Sequence, residues 1–169
     1  VLWLFPVFFQ PQIGVGTLVA LAIFKKRARL PALVFCGMLA LAAVLFLGFP
    51  AASEILRIVP VHHEISELPN YEQFGLAPIL YQLGLPQQFA LLAGSIFATG
   101  MVIYGIIVAK KLALRFDDEA FLATVPCAFA VFLGAFVHIQ SFALVLPAVL
   151  LLRRSVRTQV YDAMLLVLT

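Results

Sequence analysis

The sequence predicts an all-α protein: a polytopic transmembrane helical bundle with an external loop of short interfacial helices. Three observations carry that prediction. Hydrophobic residues make up 64% of the chain and charged residues 11%, against about a quarter charged in an ordinary soluble domain. Mean hydropathy is +1.10, too high for a domain that must cover its own core with polar side chains. Polarity is also segregated: residues 50–87 hold repeated charge, paired histidines, Asn and Gln, while the flanking chain is mostly Leu, Ala, Val, Ile and Phe.

The first apolar run covers residues 1–24 and is broken at Gln10-Pro11-Gln12. Its clean part, 13–24, rises only about 18 Å as a helix, short of the roughly 30 Å hydrocarbon core. Either Pro11 kinks one continuous span, or Gln10–Gln12 is the tip of a hairpin of half-helices; proline removes a backbone donor in both cases. A second span covers 30–49, with Pro31 in its first turn, where proline is tolerated. Within the loop 50–87, Ala51–Val59 mixes Ser53, Glu54 and Arg57 with aliphatic residues. Phe74–Leu83 repeats apolar side chains at helical spacing, then stops at Gly84 and Pro86. Both stretches are expected to lie on the membrane surface as short helices.

A third span, 88–109, is long enough to cross alone and ends at Lys110, Lys111 and Arg115. A fourth, 120–137, is expected to kink at Pro126. His138-Ile139-Gln140-Ser141 makes a tight polar tip, and 139–152 returns to Arg153, Arg154 and Arg157. A sixth segment, 160–169, is too short to span. The opening VLWLFPVFF lacks the basic region and cleavage site of a signal peptide. Both ends are expected to lie in or beside membrane segments of a longer protein.

Ten of the eleven basic residues fall in three clusters, 25–29, 110–115 and 153–157. Two spans separate each successive pair, so all three clusters are predicted on one side, and the positive-inside rule makes that side cytoplasmic. The protein is then a multi-pass protein of the cell membrane with loop 50–87 external. The clusters are topology signals separated by spans and do not form a nucleic-acid surface.

The helices leaving Gln12 and His138 are both short, so their polar tips are predicted at a similar depth below the outer surface. Polar groups there are tolerated when they face protein or a water-filled cavity. The expectation is an outward-opening cavity with Gln10, Gln12, His138 and Gln140 on its floor and the surface helices as its roof. Each residue also has a plainer reading. Gln10 and Gln12 suit interhelical hydrogen bonding, and His138 suits capping or snorkelling as well as phosphate binding or proton relay. Glu64, Glu67 and Glu72 include candidates for a catalytic base, yet an acidic external loop is also simply solvated. Adjacent side chains diverge in His62-His63-Glu64 and no HExxH spacing follows, so no metal is predicted. Cys36 and Cys127 read as small buried hydrophobes. With no CxxC and no phosphate-binding glycine loop, no cofactor is expected.

Phe9-Gln10-Pro11-Gln12 before a half-helix and a basic cluster resembles the Lys-Pro-Gln element of GT-C membrane glycosyltransferases. Asn70 followed by Phe74-Gly75-Leu76 and Leu83-Gly84 resembles their external-loop segment. His138 before 142–150, with Pro147-Ala148 inside, resembles their late His-containing turn. The similarity is to the C-terminal half of the mannosyltransferase-like family 87, with Gln10 where that family commonly has Lys and Ser141 where an acidic residue is often found. The resemblance implies a GT-C-like fold and an enzyme that transfers a sugar, with inversion, from a polyprenyl-phosphate donor to a glycolipid or glycan acceptor. It places the general base, a carboxylate, in an external loop before residue 1. Gln10, Gln12 and His138 would then contact phosphate or sugar, and Asn70, Tyr71 and Gln73 would line the external cleft. Phe74 and Tyr81 would meet the polyprenyl chain.

Two other classes fit the bare pattern. A transporter or lipid flippase also uses broken helices and a polar interior, although the sequence has no internal repeat and few intramembrane ionisable groups. A non-catalytic structural subunit would pack its polar tips against protein.

Overall fold

The computed structural model describes residues 11–62, 66–70, 73–132 and 137–168. Every regular element among them is helical. In order these are α1 (Pro11–Phe24), α2 (Lys26–Leu47), α3 (Phe49–His62), α4 (Leu76–Gln82), α5 (Gln87–Phe116) and α6 (Ala120–Phe132). A 3-10 segment, Ile139–Val145, then leads into α7 (Leu146–Leu168). Two helices, α2 and α5, are long and apolar enough to cross a membrane, while α1 and α6 contribute shorter apolar stretches.

Several boundaries differ from those the sequence predicts. Helix α2 starts at Lys26, so Pro31 sits inside it rather than in its first turn. Helix α5 runs 30 residues, to Phe116, carrying its basic residues on the helix instead of in a loop. It ends at Asp117, whose φ of 49° is one that Asp visits more readily than most residues. The largest difference is α7. The sequence suggests a break between 152 and 160, but the helix passes unbroken through Arg153, Arg154 and Arg157. Charge alone does not stop a helix, and no Gly or Pro lies between 148 and 168 to do so.

Glycine ends two helices. Gly48 (φ 78°) returns its N–H to the Val44 carbonyl and closes α2. Gly84 (φ 94°) closes α4: its N–H donates to the Tyr81 carbonyl at 2.9 Å, and the Leu85 N–H donates to that of Leu80 at 3.0 Å. That pair of bonds is the Schellman arrangement.

Helix α6 packs along α5 and across α1. Small residues let the backbones approach, as in many membrane bundles. A Cβ on Gly105 would lie 2.7 Å from Phe129 Cβ, and one on Gly16 would lie 3.1 Å from Pro126 Cβ and 3.2 Å from Val102 Cγ1. Two apolar clusters result. One joins Phe121, Leu122 and Val125 to Phe24, Phe116 and Leu151. The other joins Cys127, Ala130, Val131 and Val137 to Val102 and Val145.

The first cluster brings together the sequence neighbours of all three basic clusters. Lys25 Nζ donates to Glu119 Oε1, Lys110 Nζ lies 5.1 Å over the Phe24 ring, and Arg29 Nε donates to the Ala22 carbonyl at the end of α1 at 2.7 Å. The second cluster leads through Val137 toward His138. Helix α2 stands outside both. Ala32 is its one buried residue, and Leu33, Met38, Leu45 and Phe46 are exposed, Phe46 to 88%. So continuous an apolar surface requires lipid or another protein against it.

Candidate functional site

The polar site is built by the chain before α4 and the turn before the 3-10 segment. Helix α4 lies flat on α5 because Gly94 has no side chain: a Cβ there would fall 2.6 Å from Ala77 Cβ. Just upstream, buried Leu68 anchors the chain. Two turns follow, with the Asn70 N–H donating to the Glu67 carbonyl and the Gln73 N–H to the Asn70 carbonyl, each at 3.2 Å. The Phe74 N–H then donates to the Val137 carbonyl at 2.9 Å, and the Phe74 and Phe142 rings meet edge to face at 6.2 Å. These contacts fix Gln73 against His138.

Gln73 is 3% exposed. Its Nε2 donates to Glu67 Oε2 and also lies 2.9 Å from Nδ1 and 3.0 Å from Nε2 of His138. A primary amide has two donor hydrogens, one for the carboxylate and one for whichever imidazole nitrogen is unprotonated. The carboxylate sets the amide's orientation, since a flipped amide would press its carbonyl oxygen against Glu67. Gln73 Oε1 is therefore turned away from both, buried, with no hydrogen-bond partner among the described residues.

Glu67 is itself flanked by two imidazoles. His138 Nε2 lies 3.5 Å from its Oε2 and His62 Nε2 lies 3.6 Å from its Oε1. These separations are long for hydrogen bonds but close for an ion pair when either ring is protonated. Ser66 Oγ donates to the His62 carbonyl at 2.7 Å and lies 3.1 Å from the His62 Nδ1. The Glu67 side chain is 15% exposed, while His138 and His62 are 37% and 59% exposed. A mostly buried carboxylate, an imidazole open to one side and an amide whose acceptor has no partner among the described residues can together hold hydroxyl groups. Among the described residues, no group of three His, Cys, Asp or Glu side chains is placed to hold a metal ion.

Of the residues singled out from sequence, Gln73 and His138 are in direct contact. Asn70 shapes the turn between Glu67 and Gln73 and is half-buried. Gln10 and Tyr71 lie outside the described residues, as do His63, Glu64 and Glu72. Gln12 and Gln140 are placed by backbone alone, in the first turns of α1 and of the 3-10 segment. The expected roof and floor touch at Gln73 and His138, so no gap separates them there. Ser141 is buried, and its N–H donates to the His138 carbonyl at 2.9 Å.

In the sequence Glu67 is one of three candidate carboxylates with nothing to join it to His138, and His62 stands out only as a possible metal ligand. Ser66, four residues after His62, is the signal the sequence offers, since that spacing would return to the same face of a helix.

No protein-family model, curated protein or solved structure matches this chain.

Proposed function

We propose that this chain belongs to a polytopic membrane glycosyltransferase, GT-C-like and mannosyltransferase-like, that moves a sugar from a polyprenyl-phosphate donor to a glycolipid or glycan acceptor. The observation that carries the reading is the buried Gln73 Oε1 beside Glu67 and His138, which has no hydrogen-bond partner among the described residues. A sugar hydroxyl supplies the missing donor, and a buried carbonyl oxygen left without one costs about 1–3 kcal/mol. The two long apolar helices support the membrane placement, and the gathering of the basic clusters at one end supports a cytoplasmic face there. The Gln73–His138 cluster then faces outward, where lipid-linked sugars are met.

In the reaction, the acceptor hydroxyl attacks the anomeric carbon as the bond from that carbon to the phosphate oxygen breaks. The hydroxyl proton passes to a carboxylate base, and polyprenyl phosphate leaves. The resemblance puts that base before residue 1. Gln73 would hold a donor hydroxyl through Oε1, and His138, when protonated, would stabilise the phosphate through charge-assisted hydrogen bonding. Glu67 orients both, as a positioning residue.

The test is transfer from radiolabelled polyprenyl-phosphate mannose in membranes carrying the full-length protein. Gln73→Leu and His138→Ala should each lower transfer about 10- to 100-fold, the loss of one hydrogen bond to a charged or buried group. Unchanged transfer in both variants would remove these residues from the site. An unmodified protein that transfers nothing from mannose, glucose or arabinose donors would turn the assignment toward transport.

A further inference from the structure

The end of the molecule away from the Gln73–His138 cluster carries two adjoining grooves along α7. One, of about 370 Å³, is lined by Leu150, Arg153, Arg154, Arg157 and Thr158. The other, of about 260 Å³, is lined by Thr124, Pro147, Leu150, Leu151 and Arg154. Leu150 and Arg154 line both, so a strongly basic groove opens directly into a largely apolar one.

The spacing explains the first groove. Arg153 and Arg157 are four residues apart on one helix face, with Arg154 beside them. Neither threonine tempers the positive charge. Thr158 Oγ1 donates to the Arg154 carbonyl and Thr124 Oγ1 to the Ala120 carbonyl, each at 3.0 Å. Glu119 pairs with Lys25 instead, and among the described residues no carboxylate forms an ion pair with Arg153 or Arg154. The basic groove therefore selects an anion, and guanidinium groups suit the planar, two-oxygen face of a phosphate. The apolar groove selects an anion joined to hydrocarbon. Exposed Leu146, Val149 and Leu150 continue that apolar surface up the helix.

We propose that these grooves bind one anionic phospholipid, its phosphate at Arg153 and Arg154 and the start of an acyl chain against Pro147, Leu150 and Leu151. Basic pockets between membrane helices on the cytoplasmic side take anionic head groups in this way. The inference depends on the membrane placement but not on sugar transfer, which uses the opposite end of the molecule.

The experiment is native mass spectrometry of the full-length protein in detergent, titrated with dioleoyl phosphatidylglycerol or dioleoyl phosphatidylcholine. Phosphatidylglycerol should be retained preferentially. Arg154→Gln should lower its retention about fivefold, as expected for one basic residue near an anionic lipid, while Lys26→Gln, equal in charge but outside the grooves, should not. Leu150→Trp fills the apolar groove with every arginine kept and should also lower retention, which decides the matter if Arg154→Gln does not fold. Equal retention of the two lipids, or equal loss in the Arg154 and Lys26 variants, would overturn the proposal. Displacement of phosphatidylglycerol by millimolar inorganic phosphate, with Leu150→Trp without effect, would assign the grooves to free phosphate instead.

Discussion

Gln73 and His138 stand 65 residues apart in the chain, yet the amide nitrogen of one lies 2.9 Å from a ring nitrogen of the other. The contact ties the segment before α4 to the turn before the 3-10 helix, and Glu67 completes it from a third position. Groups that share one buried hydrogen-bond network are energetically coupled. A double-mutant cycle on Gln73→Leu and His138→Ala, followed by unfolding in mixed micelles, should give a coupling of about 0.5–3 kcal/mol. Additive effects would mean the two side chains are neighbours without being partners. Gln73→Glu should destabilise more than Gln73→Leu, because it sets a second carboxylate against Glu67.

The fit of α4 on α5 rests on one missing methyl group. Gly94→Ala would force Cβ into Ala77, costing about 1–3 kcal/mol as overpacking. Gly100 lies on the same helix and has nothing within 4 Å of its would-be Cβ. Gly100→Ala should therefore be neutral or stabilise by up to about 1 kcal/mol through helix propensity. Thermal unfolding of the two variants side by side checks this, and similar shifts in both would refute the close approach at Gly94. Loss of α4 docking in Gly94→Ala should also free the Gln73 contact, so the proposed sugar transfer should fall with it.

Thr17 is fully buried, and its Oγ1 donates to the Ala123 carbonyl at 2.6 Å while lying 2.9 Å from Cys127 Sγ. This bond joins α1 to α6 from the interior. Thr17→Val keeps the shape and removes the donor, and should cost about 0.6 kcal/mol, with about 1.7 as the upper end for such bonds between membrane helices. Thr17→Ala should cost more, since it also opens a cavity. A Val variant more stable than the parent would show that the hydroxyl gives α1 no hold on α6.

Helix content, the two long apolar helices and the candidacy of Gln73 and His138 were legible because each depends on local facts: apolar run length, polar residues in apolar surroundings, and Gly or Pro as stops. Gly84 and Asp117 end their helices through their own backbone preferences. The unbroken course of α7 was not legible. Three arginines read as a loop, but a helix tolerates charge on a face that meets water or an anion, and only its packing on α6 through Ala148 and Leu151 reveals that.

By itself the sequence determined that this chain folds as helices, that much of its surface is apolar, and that its basic residues cluster between apolar segments. These are properties of composition and spacing, which act within a turn or two of helix. Only the tertiary structure decided that Glu67, Gln73 and His138 form one network, that Gly94 admits Ala77, and that Arg154 borders both a basic and an apolar groove. Each of those depends on which helix faces which. Helix packing settles that through small residues and ångström-scale fit, which hydropathy and periodicity do not record.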